Sequence, residues 1–288
     1  MKGQESYASG TKETWRGWAW NRIIEHLPGY KPWLGKGALS RLCEDKVAVY
    51  LPGPDDFDRQ AALSKGFRNE NLIAVDVCSE RIASVRKHGG IGLQGTLQEV
   101  LLHWSPTMRC DVVVADLCCG MTEDVWRLGE AIVVAMRSPG VVAANLLRGR
   151  DAGSNWMREQ NAEIERRCVT KGISPLECKY LGKHRGWEFL LGFIWNLLDS
   201  RGVENAAVRG TVERWMTYFH PKFYSYRSPE SRQWFDGIVF RWGGRGEVDP
   251  SVIQKVADRL PRRLRRAGNV PGKLAALQAV RTKKAMIV

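Results

Sequence analysis

The stretch from Lys46 to Arg150 alternates short apolar runs with helical segments, and no other feature restricts the fold as much. KVAVYL (46–51), NLIAVDV (71–77), IGLQGT (91–96), CDVVVADL (110–117) and VVAANLL (141–147) read as five strands. The segments between them, DRQAALSKGF, SERIASVRKHGG, LQEVLLHW and TEDVWRLGEAIVVAMRSPG, read as helices. Gly66 and the Gly89-Gly90 pair stop the first two, while Ser79 and Thr122 are the expected N-caps of the second and fourth. Strands that are apolar throughout, each followed by a helix, predict an α/β fold with a mostly parallel sheet covered on both faces. Right-handed crossovers then make it doubly wound.

Flanking this core, KFYSYRSPESRQWFDGIVFRW (222–242) reads as two aromatic, β-branched strands around a turn at Pro229. It predicts an antiparallel hairpin that closes the sheet. Ahead of the core, residues 1–11 are small, polar and aperiodic and are expected to be disordered. TWRGWAWNRIIEHL follows as a helix, with Trp15, Trp18, Ile23 and Leu27 near one face. Its tryptophans, with Trp33 beyond Pro28-Gly29, either stack on nucleobases or pack the helix on the sheet edge. Residues 154–172 read as a helix, 175–183 as a short strand or loop, and 187–202 as a buried helix or strand. The organisation expected is an extension over 1–45, an α/β domain over 46–245 and a basic helical tail over 246–288.

Charge identifies the class of partner. Of 44 Lys/Arg and 31 Asp/Glu in 288 residues, ten basic residues and one acid fall in 254–288. That tail has a net charge of +9 and the remainder +4. A basic tail on a near-neutral body points to an anionic partner, nucleic acid (DNA or RNA) first, or else to a solvated arm. No apolar run is long enough for a membrane span, and the N-terminus lacks the apolar segment of a secretory signal. Seven scattered cysteines without a CxxC pair fit a reducing, cytoplasmic setting. His88, His103, His184 and His220 are too far apart for metal spacing.

Ligands of doubly wound sheets bind beyond the carboxyl ends of the strands. Three strand ends carry candidate chemistry. After the first strand, Leu51-Pro-Gly-Pro-Asp-Asp56 has one glycine, Gly53, and two acids, Asp55 and Asp56. That loop disfavours a phosphate-rich cofactor such as NAD or ATP and suits a cationic one. After the second strand, Asp76 is placed to accept hydrogen bonds from both ribose hydroxyls of a nucleoside, or to cap the next helix. After the fourth strand, Asp116-Leu-Cys-Cys-Gly120 offers an acid and two thiols. Cys118 or Cys119 is a thiolate nucleophile activated by the following helix N-terminus, or a small buried hydrophobe in a tight turn. Asn145 and Arg148, after the fifth strand, border the same cleft.

VAVYLPGPDD, LIAVDV and ADLCCG, with the 222–242 hairpin, resemble the class I S-adenosylmethionine-dependent methyltransferases, particularly the divergent ones carried by phages and mobile elements. The resemblance covers about half the chain. It implies a seven-stranded Rossmann-like sheet with an antiparallel last hairpin and S-adenosylmethionine as cofactor. Leu51, Gly53, Asp55, Asp76 and Thr96 would then border the cofactor, and Asp116, Cys118 and Cys119 the reacting groups. The sequence departs from the family in its glycine-poor first loop. It also reads DLCC where amino-methyltransferases have NPPY, and no proline precedes the cysteines as in the cytosine-C5 enzymes. The expected function is nucleic-acid methylation. The alternatives are an inactive nucleic-acid-binding protein on the same fold, or a structural protein that uses both termini as contact arms.

Overall fold

The computed structural model describes residues 10–103, 110–117, 119, 120, 122–148, 219–229 and 231–242, with single positions between 159 and 193. Helix α1 (Gly10–His26) and α2 (Lys36–Cys43) precede β1 (Ala48–Tyr50). Then follow α3 (Phe57–Ser64), β2 (Leu72–Asp76), α4 (Ser79–Lys87), β3 (Ile91–Gln94), α5 (Leu97–Leu102) and β4 (Cys110–Asp116). The series ends with α6 (Glu123–Ala135), β5 (Met136–Leu147), β6 (Lys222–Arg227) and β7 (Trp234–Trp242).

These strands form one seven-stranded sheet in the order β3-β2-β1-β4-β5-β7-β6. The first five pair in parallel, and β7 pairs antiparallel to both β5 and β6. Strand order therefore reverses between β1 and β4, and doubly wound sheets bind their ligands at the carboxyl ends of such strands.

Side-chain alternation along the strands divides the apolar residues between two cores. Val49, Ile73, Val75, Val113, Ala115, Val142, Ile238 and Phe240 face α5 and α6. Tyr50, Ala74, Val112, Val114, Val141, Ala143 and Val239 face Trp15, Trp20 and Ile23 of α1 together with Ala62 and Phe67. Because these strands are buried on both sides, they read as continuous apolar runs rather than alternating ones. At the opposite, amino end of the sheet, the buried Asp111 carboxylate accepts the Val47 backbone N–H at 2.9 Å and locks β1 to β4.

Local signals account for most element boundaries. Thr122 caps α6, its hydroxyl accepting the Val125 N–H at 3.3 Å. Gly66 ends the α3 turn at φ +96°, where an added Cβ would stand 2.5 Å from the Ser40 Cα.

Four expectations need correction. Helix α1 starts at Gly10, so Gly10 and Thr11 are helical rather than part of a disordered arm. It also lies across the sheet face, in one core with β1, β4, β5 and β7, and not on the sheet edge. The N-cap of α4 is Cys78, one residue before Ser79. Residues 136–140, expected to be the end of a helix, begin β5: the apolar run VVAMRSPGVVAANLL offers no break in hydrophobicity at Met136, so periodicity alone cannot locate the boundary. Most of the expected helix over 154–172, where the two described positions, Glu159 and Ala162, are helical, the 175–183 segment, most of 187–202, Cys118 and the basic tail fall outside the described residues. Positions 188–190, 192 and 193 are helical, which favours the helix over the strand there.

Candidate functional site

The carboxyl ends of β4 and β5 bring Asp116 and Asn145 together. Asp116 lies in register with Asn145 of the neighbouring strand. The Asn145 amide donates one hydrogen to an Asp116 oxygen and another to the Tyr226 hydroxyl oxygen, each at 2.9 Å. Asn145 is fully buried, so the pairing fixes the Asp116 carboxylate against the sheet. Its own Oδ1 has no hydrogen-bond partner among the described residues.

The other Asp116 oxygen faces α1. Lys12 Nζ lies 2.8 Å from it and Arg16 Nη2 3.9 Å. Arg16 also donates through Nε to Asp58 at 3.1 Å, and the Trp20 indole N–H donates to the same carboxylate at 2.9 Å. Lys12, Arg16 and Trp20 recur at i, i+4 and i+8, so one stripe of α1 delivers all three. Asp58 is completely enclosed. Burial raises its carboxyl to about 6, opposed by the Arg16 charge and raised further by the nearby Asp116. The start of the helix thus sets a cationic strap between two acids at the carboxyl end of β4.

The first loop lies beneath that strap. A Cβ on Gly53 would meet Arg16 Nη2 at 3.4 Å, so the guanidinium rests on the glycine. Asp56 occupies the N-cap position of α3, but its side chain makes no capping hydrogen bond. It sits at φ 52° and accepts from the Tyr50 hydroxyl at 2.9 Å and from Arg59 Nε at 2.7 Å. Burial raises both groups, and for Tyr50 the adjacent Asp56 charge adds to the effect. Leu51 is half-buried against the core shared with α5 and α6. Asp55 is exposed, and its backbone carbonyl accepts from the Gln60 side chain.

At the end of β2, one Asp76 oxygen accepts the Cys78 backbone N–H at 2.8 Å and the other accepts from Arg81 Nη1 at 3.1 Å. The next residue, Val77, is 63% exposed. An apolar side chain standing in solvent beside a carboxylate is the pairing a nucleoside needs, one group for the base face and one for the ribose diol. Thr96 starts α5 in a capping box. Its hydroxyl accepts the Glu99 N–H, and the Glu99 carboxylate accepts the Thr96 N–H at 2.6 Å. Cys119 is exposed and outside any disulfide. Its carbonyl accepts the Leu147 N–H at 2.9 Å, which ties the loop after β4 to β5.

The sequence-predicted residues Asp116 and Asn145 therefore meet directly, and Gly53 joins them through Arg16. Asp76 and Thr96 lie on the β2–β3 side of the same edge. Lys12, Arg16 and Asp58 were missed. Two cations four residues apart on a stripe that also holds buried tryptophan were the available signal, because a charge on an apolar face requires a partner. Among the described residues no three His, Cys, Asp or Glu side chains cluster as a metal site would require, and no helix is long and apolar enough to cross a membrane.

No protein-family model matches the sequence, and no curated protein is similar to it. Solved structures show distant likenesses. Spermidine synthase from Thermotoga maritima is 13% identical over 88% of this chain, with a TM-score of 0.41; the match spans 65% of the synthase. The 1,6-didemethyltoxoflavin-N1-methyltransferase of Burkholderia thailandensis, solved with S-adenosylhomocysteine, is 12% identical over 83% of this chain and 93% of its own, at 0.37. The precorrin-6y C5,15-methyltransferase of Geobacter metallireducens is 10% identical over 78% and 87%, at 0.33. The fold is methyltransferase-like. That statement rests on the mostly parallel seven-stranded order with its antiparallel closing hairpin; likenesses this distant carry nothing about chemistry.

The residues present fit S-adenosylmethionine at both of its ends. The carboxylate of an amino-acid end needs cations, and Lys12 and Arg16 supply them, Arg16 directly beside Gly53. A nucleoside end needs an acceptor for two hydroxyls beside an apolar surface, and Asp76 and Val77 supply those.

Proposed function

We propose that this chain binds S-adenosylmethionine across the carboxyl ends of β1, β2 and β4 and acts as a methyltransferase on nucleic acid. One observation carries the reading. Asp76 and the solvent-exposed Val77 end the strand next to β1, beside the point where strand order reverses. Asp76 holds the ribose hydroxyls once Arg81, itself partly exposed, swings aside. Lys12 and Arg16 hold the carboxylate of the amino-acid end. Bound there, the cofactor supplies an electrophilic methyl group. Asp116, fixed by Asn145, stands on the crevice side of β4, where it orients an incoming acceptor group or takes its proton. The basic 254–288 tail supports an anionic substrate, because phosphate neutralisation needs a run of Lys and Arg.

A second reading is favoured by the Arg16 guanidinium resting on Gly53. If α1 never lifts or shifts, the chain is a nucleic-acid-binding protein on a methyltransferase-like fold without turnover. Calorimetric titration with S-adenosylhomocysteine separates the two. Saturable heat that Asp76→Ala weakens supports the enzyme. Absence of heat at millimolar ligand, with nucleic-acid binding intact, supports the binding protein.

A further inference from the structure

The hairpin joining β6 to β7 ends at the same edge of the sheet as the candidate site. Leu147, the last residue of β5, pairs with Phe235, and the Arg148 N–H donates to the Trp234 carbonyl at 2.8 Å. The 228–233 turn therefore lies at the carboxyl end of β5. It is two strand spacings, about 10 Å, from the end of β4.

This end of the hairpin has an unusual surface. Trp234 is 45% exposed, one of few large hydrophobic side chains so exposed among the described residues. The Arg148 guanidinium stacks over its ring at 5.3 Å. That guanidinium is clamped by Asp236, through Nε at 2.8 Å and through Nη2, and by the Ser225 hydroxyl at 3.0 Å. Behind the strand, Tyr226 and Phe235 stack at 5.2 Å and stiffen the hairpin. Arg227 and Arg232 are exposed, and the Arg227 Nε donates to the Arg232 carbonyl at 3.0 Å. The one described carboxylate here, Asp236, is fully buried. The described exposed surface is thus aromatic and cationic, with the indole held rigid by its own arginine.

We infer that this hairpin end, built from Arg148, Arg227, Arg232 and Trp234, is a docking site for single-stranded nucleic acid. The inference rests on the nucleic-acid reading above and names the face that presents the strand. A base stacks on Trp234, while Arg227 and Arg232 neutralise adjacent phosphates. A rigid aromatic platform beside cations suits an unpaired strand, whose bases are free to stack, better than a duplex, whose bases are not. The buried Trp15 and Trp20 cannot serve this purpose.

Anisotropy titration of a fluorescein-labelled oligothymidylate tests it, using the full chain without added cofactor. Trp234→Ala weakens binding about ten-fold or more, and Trp234→Tyr, which keeps a stacking face, stays within about three-fold of the wild type. The Arg227→Ala/Arg232→Ala double variant lowers the slope of log affinity against log salt by about 1.4. Heparin, a polyanion without bases, competes equally well against wild type and Trp234→Ala. Unchanged oligothymidylate binding by Trp234→Ala overturns the proposal. So does a loss that extends equally to heparin, which reports a damaged fold. The assay contains no S-adenosyl ligand, so its failure is distinct from failure of the cofactor reading.

Discussion

Lys12 Nζ lies 2.8 Å from an Asp116 carboxylate oxygen, with both side chains about nine-tenths buried. The pair joins the first helix to the end of the fourth strand across the crevice where a ligand is expected. Arg16 stands 3.9 Å from the same oxygen, so Asp116 keeps a cationic neighbour when Lys12 is lost. Removing one partner of a buried pair is expensive because the other charge remains enclosed. Lys12→Met and Asp116→Asn are each expected to lower stability by about 3–5 kcal/mol. The double variant should recover at least about 1 kcal/mol relative to additivity. Urea unfolding of all four proteins measures this. Additive losses would mean that the pair does not couple α1 to β4.

Asp58 gives the strap a pH dependence. Burial raises its carboxyl to about 6, above the value of about 3.9 expected in an unfolded chain. Between about pH 4 and 6 the folded protein therefore holds a proton that the unfolded chain has released. Its contribution to stability falls as pH rises through that window and levels off above about 6, a total on the order of 3 kcal/mol. Asp58→Asn cannot titrate. Subtracting its unfolding free energy from that of the wild type at each pH should give a difference that declines from pH 4 to 6. A flat difference would show that Asp58 titrates alike in both states.

Gly237 of β7 is a packing position. A Cβ there would stand 2.1 Å from Trp15 Nε1, so the α1 indole lies directly on the strand backbone. Gly237→Ala should force α1 outward and destabilise the fold by about 1–3 kcal/mol. Gly53→Ala, whose Cβ meets Arg16 at an ordinary contact distance, should cost less. Thermal melts of the two variants compare them. Equal melting temperatures would mean that α1 is not seated on β7 as described.

The sheet was legible because its physics is local. Val112 to Ala115 and Val141 to Ala144 are apolar at every position, and only a strand covered on both faces tolerates that. The hairpin was equally readable from β-branched and aromatic residues on either side of Pro229. The site was legible in part. Asp76 and Asp116 end strands and Asn145 lies two residues before the end of β5, and strand ends can be read from the same runs. The strap was not, because Lys12 and Arg16 are far in sequence from Asp58 and Asp116. Nothing local indicates that α1 folds back over the sheet face. Thr96 was readable in principle, because its capping-box partner Glu99 is only three residues on. Asp56 has a residue type suited to several tasks, and the nearby Tyr50 and Arg59 decide which one it performs.

The most direct measurement is calorimetric titration of the full chain with S-adenosylhomocysteine, beside Asp76→Ala and Val77→Asp. Saturable one-site binding by the wild type is expected. Asp76→Ala should weaken it by about ten- to a hundred-fold, because hydrogen bonds from two ribose hydroxyls to a charged acceptor are lost. Val77→Asp should weaken it as well by removing the apolar surface for the base, and both variants should retain the wild-type melting temperature to within a few degrees. Wild-type protein that takes up no ligand at millimolar concentration, or that binds with an affinity neither substitution changes, would contradict the account.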